Sequence, residues 1–165
     1  MSTWPTWDEW LLTLDPERRA AALALRDRFA ALGDAEPEAA ARSEVMEDVP
    51  QLARYLVLRR LWANGMSWTP EKVSQVPAAR RLVEGGADPA DVTRAMNAAA
   101  YDAVFAALYA ISYGADPEEE DAALPGWCLL ETTPEGELTG RPLGALHEDI
   151  LTLDPSGRDG ADLWA

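Results

Sequence analysis

Residues 95–115 read AMNAAAYDAVFAALYAISYGA and carry one charge, Asp102, in a chain of which 26% is charged. Arg94 closes the stretch on one side and Asp116 on the other. Just upstream, Asp88-Pro89-Ala90-Asp91 has the form of a helix start, with Asp88 as N-cap and Pro89 at the first helical position. Gly114 supplies a stop. The pattern predicts a helix from about Pro89 to Tyr113, apolar nearly all round and therefore the centre of a helical domain.

The stretch is long enough to span a bilayer, but its content argues against that. Alanine barely favours lipid, and a mid-span Asp102 would cost roughly 2.5–3.5 kcal/mol on insertion scales. No membrane span is expected.

A chain of 165 residues, 48% apolar and with seven tryptophans, can close one domain and is no disordered acidic tail. One cysteine, Cys128, leaves neither an internal disulfide nor a cysteine-rich metal site. The first basic residue is Arg18 and no long apolar run precedes it, so no signal peptide is visible and a cytoplasmic location is expected.

The net charge of −15 is unevenly spread along the chain. Residues 1–114 hold 16 acidic against 12 basic residues, whereas residues 115–165 hold 13 against Arg141 and Arg158 alone. A helical body (1–114) with an acidic extension (115–165) within a single domain is the organisation this suggests. Such an anionic surface should repel nucleic acid and anionic lipid and attract a basic protein.

Outward from the central helix, punctuation marks the other elements. Thr6-Trp7-Asp8-Glu9 matches a capping box, Asp15-Pro16 opens a helix that Gly33 stops, and Glu36-Pro37 opens a third. Ala21, Leu25, Phe29 and Leu32 line one side of the second helix. Asp48-Val49-Pro50-Gln51 marks a bend into a fourth helix ending at Asn64-Gly65, and Thr69-Pro70 and Val76-Pro77 start two short ones. Beyond Gly114, a short acidic helix is expected from Asp116-Pro117-Glu118 to Pro125-Gly126. A β-hairpin should follow, 127–132 returning at 137–139 around Thr133-Pro134-Glu135-Gly136. The tail should hold one short helix near 146–151 and pack back through Leu143, Leu146, Ile150, Leu153 and Trp164. The fold class is mainly α: a single-domain bundle of about six or seven helices with a small C-terminal hairpin.

Catalytic signatures are sparse. The sequence has no phosphate-binding loop and no GxSxG elbow. The one histidine, His147, is followed by Glu148 and Asp149, but neighbours on a helix point about 100° apart and make no dyad by adjacency. Glu44, Glu47 and Asp48, at i, i+3 and i+4, share a helix face and resemble a divalent-cation ligand set, although such faces are more commonly solvated. No cofactor and no metal are expected. A buried Asp102 would need an arginine, with Arg54, Arg59, Arg60, Arg80 and Arg81 as candidates, and is read as a structural ion pair. Tyr101, Phe105, Tyr109 and Tyr113 form an i, i+4 stripe expected to be core.

The function class these features favour is a non-enzymatic acidic binding protein, of inhibitor, immunity or adaptor type, with a basic protein partner. Glu118, Glu119, Glu120 and Asp121 would steer the partner and Trp127 would anchor it. A small enzyme using carboxylates and arginines is the alternative. A helix-turn-helix drawn over 73–100 comes third, since Arg80, Arg81 and Arg94 are few for nucleic acid.

Overall fold

The structure is a computed structural model that describes residues 5–113 and 126–164. Among these the fold is mainly α. The helices are α1 (Trp7–Leu11), α2 (Pro16–Leu32), α3 (Pro37–Glu47), α4 (Gln51–Gly65), α5 (Pro70–Ser74), α6 (Pro77–Glu84), α7 (Pro89–Tyr113) and α8 (Ala161–Trp164). Strands β1 (Leu130–Thr132) and β2 (Leu138–Pro142) pair antiparallel, and a 3-10 turn covers Leu151–Leu153. Among the described residues no helix is long and apolar enough to cross a membrane.

The helix starts obey local chemistry. In the capping box Glu9 N–H donates to Thr6 Oγ1 at 3.3 Å, and Thr6 N–H donates to Glu9 Oε2 at 2.9 Å. Asp15 Oδ1 accepts from Arg18 N–H at 2.8 Å, and Gly33 takes φ +86° to end α2. On α2, Ala22 and Phe29 are the buried positions, and Ala21 is exposed. The expected helix at 146–151 is absent. Glu148 N–H bonds back to the Ala145 carbonyl and Thr152 N–H to that of Asp149, three-residue closures that give turns and the 3-10 segment instead.

Two compact units organise the chain, one made of residues 1–54 with 130–143, the other of 55–129 with 144–165. The hairpin therefore groups with α1–α3, not with the tail. In the first unit α2 packs on α3, and Trp7, Trp10, Phe29, Ala41 and Leu143 are buried. The Trp7 and Trp10 rings meet at a tilt with centroids 5.0 Å apart, while Arg19 donates to the carbonyls of Leu11 and Leu14 and so closes α1. In the second unit α7 packs on α5, α6 and α8. Leu58, Trp62, Val73, Tyr101, Leu108, Leu146, Ile150 and Leu163 are buried there.

This grouping redistributes the charge. Among the described residues the first unit holds 14 acidic and 7 basic residues and the second 10 and 7, so their described parts carry −7 and −3. Three of the acids that the sequence assigns to the last third, Glu131, Glu135 and Glu137, belong to the same unit as α1–α3.

Helix α7 begins at Pro89 as expected and is described to Tyr113, the expected stop at Gly114 lying outside the described residues, but it does not have the expected enclosure. Only Tyr101 and Leu108 are buried; Ala95, Ala99, Ala103, Ala106, Ala107 and Ala110 are exposed. Alanine burial yields little free energy per residue, so an alanine-rich helix can leave most of its circumference open at small cost.

Candidate aromatic surface and the charged clusters

Trp127 is 57% exposed, and its indole N–H donates to the Ala110 carbonyl at 3.0 Å. That carbonyl lies in the last described turn of α7. The hydrogen bond satisfies the polar edge of the ring and holds its apolar faces in water. Tyr109 and Tyr113, 52% and 55% exposed, and the partly exposed Ile111 occupy the same end of α7. Leu129, two residues beyond Trp127, is exposed as well. This end of the second unit thus presents a cluster of aromatic and aliphatic side chains. The acidic run Glu118–Glu119–Glu120–Asp121 and the short helix expected around it lie outside the described residues.

His147 underlies this surface. It is buried, and its ring meets Phe105, Tyr109 and Tyr113 at centroid distances of 5.4, 5.2 and 5.5 Å. Nε2 lies 3.9 Å from Glu148 Oε1, and Nδ1 is buried without a hydrogen-bond partner. The aromatic stripe is therefore half core: one side of the rings packs on His147 and the other meets solvent.

Asp102 is exposed, and the ion pairs among the described residues do not include it. The buried ion pair expected at this position is corrected to a surface carboxylate, for the same reason that α7 is open. Its neighbour Tyr101 has its phenol pushed up, first by burial and then by the Asp102 charge.

In the first unit Arg141, on β2, reaches three carboxylates: Glu44 and Glu131 at 3.2 Å and Asp48 at 3.3 Å. Glu44 Oε2 also accepts from Leu52 N–H at 2.8 Å. Glu44 and Asp48 do converge, as their spacing suggests, but the cation between them is a guanidinium. Among the described residues no group of three or more His, Cys, Asp or Glu side chains is arranged to hold a metal ion. Spacing along one helix could not reveal Arg141, because it arrives from a strand 97 residues beyond Glu44.

The second unit has an anionic turn at Asp154. Burial raises this carboxyl, but N–H and O–H donors from Ser156, N–H from Gly160 and the Arg158 charge outweigh it and hold the group below its ordinary range. Arg158 pairs with Asp162. Pockets among the described residues include ones of 470 Å³ beside Trp7, 320 Å³ between α5 and α6, and 350 Å³ beside Trp62.

Comparison of the chain with protein-family models, with curated proteins and with solved structures finds no match to any of them.

Proposed function

We propose that the protein is an acidic binding protein, of inhibitor or adaptor type, that engages a basic protein partner through the aromatic end of α7. The observation that carries the reading is Trp127: a large exposed ring, held by its own hydrogen bond, beside exposed Tyr109 and Tyr113. Aromatic side chains with few rotamers left to lose make effective anchors. The net charge of −15 supplies attraction for a basic surface, and the run Glu118–Asp121 falls between Tyr113 and Trp127 in sequence.

No observation favours the enzymatic alternative: His147 is buried among rings, and the Glu44 cluster is occupied by Arg141. Arg94, needed for a helix-turn-helix reading, is bound to Asp91 at 2.9 Å.

The test begins with capture of partners by the purified protein and continues with surface-based kinetics. Trp127→Ala should speed dissociation tenfold or more, as loss of an anchor costing about 1.5–2 kcal/mol does, while leaving the helical spectrum unchanged. Reversal of Glu118, Glu119, Glu120 and Asp121 to lysine should slow association and flatten its salt dependence. Kinetics indifferent to all five changes would place the interface elsewhere.

A further inference from the structure

The second unit carries a pocket whose lining shares no residue with the aromatic end of α7. It lies between the end of α4, Asn97 of α7 and the start of α8, and its 350 Å³ is within the range of ligand sites. Trp62, Met66, Trp68 and Leu163 give it apolar walls. Both tryptophans are fixed in place. Asn97 Oδ1 accepts from Trp68 N–H at 2.9 Å, and Asn97 Nδ2 donates to the Trp68 carbonyl at 3.1 Å. The Trp62 indole N–H donates to the Ile150 carbonyl at 2.6 Å. The walls are thus set before anything enters, which spares a ligand the cost of ordering them.

The polar side of this pocket offers charge in place of free hydrogen bonds. Ser67 Oγ donates to the Ala63 carbonyl at 2.6 Å and accepts from Lys72 Nζ at 2.9 Å. Ser156 Oγ donates to Asp154 Oδ2 at 2.7 Å, and the Asn97 amide is engaged by Trp68. The carboxylates of Asp154 and Asp162 both belong to the lining. Asp154 accepts from Ser156 and Gly160, but these donors are neutral and leave its charge in place. Two cations stand nearby: Arg158, 61% exposed and paired with Asp162, and Lys72, held on Ser67. Neither lines the pocket, and Asp154, Asp159 and Asp162 outnumber them.

We infer that this pocket binds a small organic ammonium ion, an apolar or aromatic body that carries one positive charge. The body lies against Trp62, Met66, Trp68 and Leu163, and the charge is attracted by Asp154, Asp162 and the electron-rich tryptophan rings. An anion would meet two carboxylates. A sugar or nucleotide would bring hydroxyls whose hydrogen-bonding partners in the lining are already engaged, and would lose water without replacing it. An alkylated ammonium fits best, since it brings charge without N–H donors that need acceptors. The inference rests neither on a basic protein partner nor on Trp127.

The probe is benzyltrimethylammonium chloride, titrated into the full-length isotopically labelled protein. The readouts are the Trp68 indole and Met66 methyl resonances, assigned through Trp68→Phe and Met66→Leu. The cation should shift both to saturation. Phenylacetate and benzyl alcohol, which keep the ring but carry a negative charge or none, should shift them far less at the same concentrations. Trp68→Leu should weaken binding about threefold through loss of the ring. Arg158→Gln, at an exposed position, releases Asp162 and should tighten binding about twofold, while Asp154→Asn should weaken it by a similar factor. Because Asp154→Asn also alters its own turn, the Arg158 variant isolates the effect of charge. Affinity unchanged or lowered in Arg158→Gln, equal shifts with phenylacetate or benzyl alcohol, or no shift at Trp68 and Met66 would each overturn the inference. Shifts confined to Tyr109, Tyr113 and Trp127 would overturn it too, while leaving the aromatic surface standing; Trp127→Ala should not change the titration.

Discussion

At the scale of single residues, exposure decides what a charge is worth. Asp102 interrupts an apolar sequence, and a buried carboxylate there would be expensive to strand. Exposed, it has no such role, and Asp102→Ala should change stability by less than about 0.5 kcal/mol in urea denaturation. A loss several times larger would restore it to an ion pair. Asp154 is the opposite case, a carboxylate whose acceptor capacity is used by Ser156 and Gly160. Asp154→Ala leaves those donors unmatched and should cost about 1–2 kcal/mol. The folded state depresses this group, so its contribution is complete above the ordinary carboxylate value and fades as pH falls through the depressed one. The gap between variant and parent urea midpoints should therefore narrow on acidification; a gap constant in pH would assign the loss to packing alone.

At the scale of elements, Arg141 ties the hairpin to the helices of its unit. Glu44 and Glu131, with side chains 9% and 15% exposed, both depend on Arg141 for their counter-charge, and Asp48 adds a third contact from the surface. Removing the cation strands carboxylates that have already lost most of their water. Arg141→Met should cost about 3 kcal/mol, read as a lowered urea midpoint. Arg141→Lys should recover only part of that, since one ammonium cannot serve three directions as a planar guanidinium does. A loss below about 0.5 kcal/mol in the methionine variant would show that solvent already screens the cluster. The capped helices need no such long-range partner: Thr6, Asp15 and Thr69 each accept from a backbone N–H three residues ahead.

At the scale of the molecule, the chain carries −15 and the described parts of its two units −7 and −3, so like charge is in excess in each. Screening should relieve it: moderate sodium chloride should raise the thermal midpoint by a few degrees, about 1 kcal/mol for a chain of this size. A midpoint that falls with salt would mean that attractive pairs such as those of Arg141 outweigh the excess of like charge. Chelators should leave the midpoint unchanged, since the acidic cluster is neutralised by an arginine.

Helix limits were legible in the sequence because caps, prolines and stop glycines act within four residues; α2 runs from Pro16 to the Gly33 stop and α7 begins at Pro89 as their punctuation predicts. The hairpin was legible for the same reason, its turn set by Thr133 to Gly136, whose φ is +90°. What surrounds an element is a different matter. Periodicity marked Tyr101, Phe105, Tyr109 and Tyr113 as one stripe, but not that its far end faces water. Spacing put Glu44 near Asp48, but not Arg141 between them. By itself the sequence determined the local structure, through hydrogen bonds and backbone torsions a few residues long. Burial, charge pairing and the grouping of the hairpin with α1–α3 were decided only by the tertiary structure, because each depends on residues that the chain brings together from far apart.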